Sequence, residues 1–428
     1  MNSPNQSVRP VAVVGGVRIP FCRSNTSYAD LSNHNMLSTV LKGLVEQYNL
    51  AGEELGEVNA GAVITHSADW NLAREAILST SLAPTTPAIT MQQACGTSLQ
   101  AAMVAAAKIA TGQIDSAIAA GSDTVSDVPI VFGKKFSKRL VSLGKARSAG
   151  AKFKVFKGFS PKELTPKPPS VNEPRTLLSM GQHCELMAQE WEISREAQDQ
   201  LALESHLKAA AAYDEGFFDD LLVDCAGVTR DNNMRPDSTM EALAGLRNAY
   251  EKSDKGTLSA GNSTPLTDGA AGVLLASEEW ARERGLPILA YLTHSNTAAV
   301  DFVGGEGLLM GPTVAVANML KAANLSLQDF DIYEIHEAFA AQVLCTLKAW
   351  ETESYCRDRL GLQSAMGSID PNKMNPKGSS LAVGHPFAAT GARIVGTLAK
   401  ILDERGSGRG LISICTAGGM GVSAIMER

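Results

Sequence analysis

Three segments that lie far apart in the chain carry side chains suited to acyl transfer. They are QACGTSLQAA with Cys95, AVGHPFAATGAR with His385, and SICTAGGMGVS with Cys415. A cysteine thiol can hold an acyl group, and an imidazole and a second thiol can move protons. The sequence therefore indicates acyl chemistry on carbon, provided that the fold brings the three segments together.

The local context of each residue supports a reactive interpretation and also allows an inert one. Cys95 directly precedes a helical pattern that starts near Ser98, and a helix N-terminus lowers the pKa of a thiol. Pro386 stiffens the turn that carries His385, and the glycines after Cys415 expose N–H groups that could stabilise an oxyanion. Taken singly, Cys95 fits a buried inert thiol equally well, and His385 a solvated turn histidine. For Cys415 alone, a core strand cysteine is the better interpretation.

A second histidine, His336, follows the strand-like DIYEI in IHEAFAAQ. Neither HExxH nor CxxC occurs, so we expect no metal site. Glu337 has two interpretations: it orients the neighbouring ring or backbone, or it begins the next helix. A solvated strand-end histidine is the ordinary alternative for His336 itself.

The elements that must position these residues follow an α/β rhythm. Strand-like and helix-like stretches alternate from VAVVGGV (11–17) through AGAVITH (60–66) to SAIAAGSD (116–123), and the C-terminal part repeats the rhythm. This pattern predicts a mostly parallel sheet and a duplicated unit. The 428 residues, 44% of them apolar, suffice for two or three domains.

The region 131–256 breaks the rhythm and is predicted to be an inserted loop domain. It contains a basic stretch, a proline-rich piece and a polar helical stretch over 180–216. We expect an N-terminal half over 1–130, completed by about 257–285, and a C-terminal half over 286–428.

Charge is concentrated in one part of a chain whose net charge is −7. Eleven Lys or Arg stand against the single acid Glu163 between Lys134 and Lys167, a local balance of +10. Apolar residues interleave with these cations over 132–157 at roughly helical spacing. Such a helix can meet an anionic membrane, a protein partner or a polyphosphate, although a solvated face is the ordinary alternative. The negative net charge of the chain gives no indication of nucleic-acid binding.

Seven cysteines in a chain of this length do not make a disulfide framework, which indicates a reducing compartment. The N-terminal residues lack a basic n-region, and no apolar run reaches about 18 residues. We therefore expect a cytoplasmic protein with neither a signal peptide nor a transmembrane helix.

Together the motifs resemble the thiolase family over essentially the whole chain. They occur in the family's order: ACGTS, SMGQHCELMA, GNSTPLTDGAA, HEAFA, GHPFAATGAR and CTAGGMG. The details are most similar to the thiolase (beta) subunit of fatty-acid oxidation multienzyme complexes, since HEAFA replaces the NEAFA usual elsewhere in the family. CTAGG, where that branch often has CAAGG, is a mild departure.

The resemblance implies two βαβαβαββ halves stacked as αβαβα layers, with a loop domain over the active site. It also implies thiolytic cleavage of a 3-ketoacyl-CoA, with coenzyme A as co-substrate and no metal or redox cofactor. Implied partners are a second copy of the chain and a hydratase/dehydrogenase alpha subunit.

Roles for individual residues also follow from the resemblance. It implies that Cys95 is the nucleophile, that His385 lowers its pKa and activates the attacking thiol, and that Cys415 exchanges a proton at C2. His336 stands where the family's asparagine holds a water in the oxyanion site of the thioester carbonyl. The remaining implied positions are the backbone N–H groups of Cys95 and Ala417 as a second oxyanion site, and Met180, Arg235 and Thr264 as contacts of the acyl group or of coenzyme A.

Three alternatives remain open at this point. A biosynthetic acetoacetyl-CoA thiolase would use the same residues in the opposite direction. A ketoacyl synthase shares the fold and the nucleophilic cysteine but typically uses two histidines, which His336 and His385 would supply. A non-catalytic scaffold subunit would need none of these side chains.

Overall fold

A computed structural model describes residues 8–428, which form a ten-stranded mixed sheet and a separate two-stranded ribbon. The strands are β1 (Val11–Arg18), β2 (Cys22–Arg23), β3 (Glu57–Gly61), β4 (Ala88–Thr90), β5 (Ser116–Asp123), β6 (Val131–Phe132), β7 (Pro166–Lys167), β8 (Thr267–Ser277), β9 (Ala290–Ala299), β10 (Ile332–Ile335), β11 (Arg409–Thr416) and β12 (Met420–Glu427).

The α-helices connect these strands and fill the long segment between β5 and β8. They are α1 (Asn33–Gln47), α2 (Leu72–Leu78), α3 (Thr97–Ala110), α4 (Lys134–Lys145), α5 (Ala149–Val155), α6 (Met180–Glu190), α7 (Arg195–Asp214), α8 (Met240–Ala244), α9 (Glu278–Glu283), α10 (Gly311–Ala323), α11 (Ala340–Glu351), α12 (Glu353–Asp358), α13 (Ser380–Val383) and α14 (Thr390–Arg405). Short 3₁₀ turns span Pro161–Leu164, Pro371–Lys373 and Phe387–Ala389.

The strand order shows the duplication directly. The N-terminal half runs β4-β3-β5-β8-β1, with β3 parallel to β4 and β5, and β8 antiparallel to β5 and β1. The C-terminal half runs β10-β11-β12-β9 with the same directions, and a parallel bridge from Tyr333 to Met374 takes the place of the edge strand. Two residue pairs between β1 and β9 join the halves.

Five layers result because two helices, α3 and α14, lie between the half-sheets. One apolar core contains buried residues of both helices and of strands from both halves. The helices approach closely at Gly391, where a Cβ atom would lie 2.3 Å from the backbone nitrogen of Leu99. Separate cores place α1 and α2 on the outer face of one half-sheet and α10 and α11 on the outer face of the other. The αβαβα architecture implied by the family resemblance is confirmed. The mostly parallel sheet predicted from the α/β rhythm is wrong, because six of the nine strand pairings in the described ten-stranded sheet are antiparallel and three are parallel.

The two halves differ most in the connection between their last two strands. In the C-terminal half it is the turn 417–419, whereas in the N-terminal half it is the segment 124–266 with α4 to α8. The polar helical stretch predicted over 180–216 is two helices, α6 and α7, separated at 191–194. On this basis we propose the domain boundaries expected from the sequence: 1–130 with 257–285, 131–256 and 286–428.

One strand predicted from the sequence is misplaced. The strand expected over 60–66 ends at Gly61, because the next backbone N–H groups turn away from the sheet. Those of Val63 and Ile64 donate to the buried carboxylate of Asp123, at 2.8–3.1 Å. Among the helices in residues 8–428, none is long and apolar enough to cross a membrane.

Candidate active site

Cys95 lies in the connection between β4 and α3, two residues before the helix begins. The preceding residue, Ala94, has a positive φ of 46°, which fixes a sharp turn. A Cβ atom on Gly96 would lie 2.7 Å from the side chain of Val422 and 3.0 Å from that of Thr416. Glycine at this position therefore lets the cysteine loop lie directly against β11 and β12.

His385 follows α13 at a glycine whose conformation other residues rarely adopt. Gly384 has φ 103°, and a Cβ atom there would lie 2.8 Å from Thr267. The backbone N–H of His385 donates to the Thr267 hydroxyl at 2.8 Å, and its Nδ1 lies 2.6 Å from the Thr390 hydroxyl. The ring is thus held from two sides, and its buried Nε2 has no hydrogen-bond partner among residues 8–428.

His336 directly follows β10 and is completely buried. Its backbone N–H donates to the carbonyl of Ser413 at 2.9 Å, and its Nδ1 lies 2.8 Å from the Ser380 hydroxyl. As in His385, Nε2 lacks a hydrogen-bond partner in the described part of the chain. The centroids of the two imidazoles are 4.1 Å apart.

The two histidines converge on the first cysteine. One ligand-type atom from each of Cys95, His336 and His385 lies within 4.8 Å of the other two. Zinc also prefers sulfur and nitrogen donors of this kind, although the sequence contains neither HExxH nor CxxC. The geometry suits proton transfer between a thiol and an imidazole equally well.

The third segment brings its cysteine to the same place. Cys415 is buried in β11, opposite Gly421 of β12, and its thiol is close enough to Cys95 for charge on one to raise the pKa of the other. The following turn aims the backbone N–H of Ala417 at the Cys95 sulfur. The structure therefore unites the three segments that the sequence singled out.

The ionisation of the cluster differs from the sequence-based expectation. Burial raises the pKa of the Cys95 thiol to about 12, and the N–H groups of Ala417 and Cys95 only partly offset it. Burial, assisted by the charge of Arg393, lowers the pKa of His385 to about 3. The prediction that the helix N-terminus favours a thiolate was therefore wrong for the free protein, which holds a neutral thiol beside a neutral imidazole.

A pH series of alkylation tests this ionisation state. With a pKa near 12, the thiolate fraction of Cys95 rises about tenfold per pH unit between pH 7 and pH 9, and the rate of iodoacetamide labelling should rise in parallel. Mass spectrometry of the Cys95 peptide measures the rate, with the Cys95→Ser variant as the blank. A rate that is constant over this range would show a preformed thiolate and contradict the neutral pair.

Glu337, next to His336 in the chain, accepts several buried hydrogen bonds that connect the elements around the histidines. Its buried carboxylate accepts hydrogen bonds from the Ser205 hydroxyl at 2.7 Å, the Asn375 amide at 2.7 Å and the backbone N–H of Leu381 at 3.2 Å. Of the two interpretations left open by the sequence, orientation of neighbouring backbone fits these contacts, because they join α7, the 375 loop and α13.

The other residues singled out by resemblance are more dispersed. Met180 begins α6 and packs against the apolar cluster that contains Cys415. The hydroxyl of Thr264 donates to the carbonyl of Ala338, two residues beyond His336, at 3.0 Å. Arg235 is exposed and its guanidinium donates to the carbonyls of residues 232–234. Within residues 8–428, no hydrogen bond links Arg235 to His336, His385 or Cys95.

Several polar residues around the site were missed by the sequence analysis. Ser380, Thr390 and Arg393 lie within fourteen positions of one another, around the GHPFAATGAR motif, and this proximity was the available signal. Glu173 had no such signal. Its carboxylate reaches from the inserted segment to accept from the N–H of Gly418 at 2.7 Å, and so holds the turn after Cys415.

Comparison with known proteins agrees with this architecture. Residues 11–279 match the family described as "Thiolase, N-terminal domain", and residues 286–428 match "Thiolase, C-terminal domain". A 3-ketoacyl-CoA thiolase of Shewanella woodyi is 40% identical over 97% of this chain and 96% of its own. One from Yersinia enterocolitica is 39% identical over the same shares.

Solved structures extend the likeness to three dimensions. The Bacillus anthracis acetyl-CoA acetyltransferase superposes with a TM-score of 0.82 at 30% identity, covering 99% of this chain and 100% of its own. Human mitochondrial 3-ketoacyl-CoA thiolase in complex with CoA gives 0.80 at 26% identity, covering 98% of both chains. With both family domains matched along its length and the cysteine–histidine cluster in place, the chain belongs to the thiolase family.

Proposed function

We propose that the protein catalyses thiolytic cleavage of a 3-ketoacyl-CoA by coenzyme A, giving acetyl-CoA and a shortened acyl-CoA. The observation that carries this proposal is the convergence of Cys95, His336 and His385 within 4.8 Å, with Cys415 beside them. The similarity to 3-ketoacyl-CoA thiolases and to an acetyl-CoA acetyltransferase supports the same reaction class. The proposed setting is fatty-acid β-oxidation.

In the first half-reaction, the sulfur of Cys95 bonds to C3 of the substrate while its proton passes to Nε2 of His385. The alkoxide formed on C3 is stabilised by the backbone N–H groups of Cys95 and Ala417, which face the sulfur. The C2–C3 bond then breaks, and its electrons form the enolate of acetyl-CoA. His336 faces the enolate oxygen, and the thiol of Cys415 donates its proton to C2.

In the second half-reaction, a proton transfer from the His385 imidazolium to the Cys415 thiolate restores both groups. His385 then takes the proton of the coenzyme A thiol, and the coenzyme A sulfur attacks the acyl-cysteine. The C3–sulfur bond to Cys95 breaks, and the departing thiolate recovers the proton from His385. The steps balance among thiols, imidazole and coenzyme A, so the proposal includes no metal or redox cofactor.

Substrate contacts complete the proposal. Met180 would line the acyl group, and Thr264 and Arg235 would contact coenzyme A, as the family resemblance implies. The solved human relative is described as a complex with CoA, which supports coenzyme A as the co-substrate here.

The direct test is a thiolysis assay with acetoacetyl-CoA and with a long-chain 3-ketoacyl-CoA. We expect coenzyme A-dependent loss of the ketoacyl thioester and stoichiometric formation of acetyl-CoA. Failure of a folded preparation to cleave either substrate would contradict the proposal and favour a non-catalytic scaffold. The ratio of the two rates reports the chain-length preference.

For assembly and location, we propose a cytoplasmic homodimer or higher oligomer that can bind a hydratase/dehydrogenase alpha subunit. The docking element proposed for that subunit or for an anionic membrane is the basic hairpin, residues 132–157, which contains α4 and α5. Its apolar side chains are divided between two roles. Phe136 is buried, with its ring 4.8 Å from that of Phe132, whereas Phe153 is 86% exposed and Val141 60% exposed.

Neutralising three exposed lysines of the basic hairpin tests the membrane contact. Each Lys near an anionic surface contributes about 1 kcal/mol, so Lys134→Gln, Lys135→Gln and Lys138→Gln together should weaken binding to phosphatidylserine-containing vesicles by about 100-fold. Arg139 is left unchanged, because its guanidinium donates to Glu163 and to the carbonyls of residues 155, 157 and 158.

Vesicle sedimentation measures this binding. The matched control carries the same change at three exposed lysines elsewhere: Lys42, Lys252 and Lys321. Equal binding by both triple variants would contradict the membrane role. If pull-down of the alpha subunit were unchanged as well, the hairpin would be an ordinary solvated face.

A further inference from the structure

A chain of buried hydrogen bonds reaches His336 at its Nδ1 atom. Arg393, in the first turn of α14, donates from Nη2 to the Ser380 hydroxyl at 2.9 Å. The same hydroxyl oxygen lies 2.8 Å from Nδ1 of His336. Ser380 and His336 are completely buried and Arg393 is 4% exposed, so bulk water does not compete for these contacts.

Donor and acceptor chemistry fixes the direction of the Arg393–Ser380 hydrogen bond and favours one direction for the Ser380–His336 hydrogen bond. A guanidinium can only donate, so the oxygen of Ser380 is the acceptor from Arg393. The single hydroxyl hydrogen of Ser380 is then free for its other partner. Within residues 8–428 that partner is Nδ1 of His336. Donation to Nδ1 is the arrangement that gives this hydroxyl hydrogen an acceptor, and it places the one proton of the neutral ring on Nε2.

The surroundings also keep the His336 ring neutral. Burial lowers the pKa of His336 well below its usual value, and the charges of His385 and Arg393 lower it further. Arg393 remains the cation of this group, and a carboxylate oxygen of Glu334 lies 3.8 Å from its Nη1. A neutral imidazole with its proton on Nε2 is a hydrogen-bond donor toward the space that it shares with Cys95.

The hydrogen bond at Nδ1 of His385 differs from that of His336, and this difference gives the two histidines different roles. Its Nδ1 also contacts a hydroxyl, that of Thr390 at 2.6 Å. In the described part of the chain, however, Thr390 receives no hydrogen bond from a cation that would fix its hydrogen. Its hydroxyl can accept from Nδ1–H, which leaves Nε2 of His385 as a base for the Cys95 proton.

We propose that Ser380, oriented by Arg393, is a positioning residue that fixes His336 as an Nε2–H donor toward the enolate oxygen. This inference rests on the proposed thiolysis, in which that oxygen gains negative charge when the C2–C3 bond breaks. Ser380 thereby determines that His336 stabilises an oxyanion while His385 accepts protons.

A double-mutant cycle tests whether Ser380 acts through His336. Ser380→Ala removes the hydroxyl and should lower kcat/KM for thiolysis by about 10–100-fold, the usual cost of losing a partner that orients a functional histidine. In a His336→Asn background the amide donates without help from Ser380. In that background, Ser380→Ala should lower kcat/KM by about twofold or less, because the coupling between Ser380 and His336 has been removed.

The matched control is Ser379→Ala. Ser379 also accepts from Arg393, at 3.3 Å, but has no hydrogen bond to His336. Its replacement should leave kcat/KM within about threefold of the original, as expected of a residue not coupled to the ring. Equal losses from Ser380→Ala in the presence and absence of His336 would show a structural role alone and overturn the proposal.

A spectroscopic measurement separates this inference from the proposed function. Imidazole ¹⁵N NMR of histidine-labelled protein reports the tautomer of each of the seven histidines, and the His336→Asn variant identifies the signal of His336. We expect the Nε2–H form in the original protein and a shift toward Nδ1–H in Ser380→Ala. An Nδ1–H ring in the original protein would overturn the inference whether or not thiolysis is observed.

Discussion

Replacing Cys95 with serine should lower kcat for thiolysis by about 10⁴-fold or more, the scale seen when the nucleophile of a coupled catalytic group is removed. The physical reason lies in the ionisation of the site. Burial raises the pKa of the thiol to about 12, and an alcohol in the same place is far less acidic still. Because the pKa of His385 is also lowered, to about 3, proton transfer to this imidazole is harder still from an alcohol than from the thiol.

Acyl trapping provides the decisive measurement. Incubation with a 3-ketoacyl-CoA labelled in its acyl part, followed by acid quenching, should leave one label per active site on the Cys95 peptide of the original protein. The Cys95→Ser variant should carry none. A suitable control is Cys225→Ser, a buried thiol in the outer core of the N-terminal half. Full labelling of the Cys95→Ser variant would contradict the assignment of the nucleophile.

Much of the fold could be predicted from the sequence because the relevant signals are local. β5 occupies 116–123 as expected, and α3 and α14 follow the small-residue patterns after Cys95 and His385. The strand predicted over 60–66 failed for a nonlocal reason, since the Asp123 carboxylate from another strand captures the N–H groups of Val63 and Ile64. The edge position of β9 in its half-sheet likewise depends on pairing with β12.

The candidate site shows the same boundary between local and nonlocal information. The identities of Cys95, His336, His385 and Cys415 follow from motifs, and the structure brings them together. Their ionisation states do not follow from the motifs, because the pKa of Cys95 depends on burial by segments more than 300 residues away. The helix N-terminus is a local influence that lowers the pKa of the thiol, but desolvation outweighs it. Tautomers also require the three-dimensional hydrogen-bond network, as Ser380 illustrates.

The second large effect is expected when the Cys415 thiol, which protonates C2 as the C2–C3 bond breaks, is removed. Replacing Cys415 with alanine should slow thiolysis of acetoacetyl-CoA by about 10²–10⁴-fold, the usual contribution of a positioned general acid. The departing enolate would then have no thiol in β11 to protonate C2. Acyl transfer between Cys95 and coenzyme A involves no proton on carbon, so exchange of labelled coenzyme A into an acyl-CoA should persist within about tenfold.

This separation of half-reactions distinguishes the two enzymatic interpretations. A ketoacyl synthase mechanism based on Cys95, His336 and His385 would need no thiol at position 415, and the Cys415→Ala variant would then keep its carbon–carbon chemistry. Deuterium incorporation at C2 of acetyl-CoA in heavy water measures the missing step directly and should be lost with Cys415 but retained in Cys345→Ala, a control thiol of the same apolar cluster. Retained deuterium exchange in Cys415→Ala would contradict the thiolase assignment of that residue. Loss of both exchange reactions would instead indicate damage to the acylation site, which the labelling of Cys95 would reveal independently.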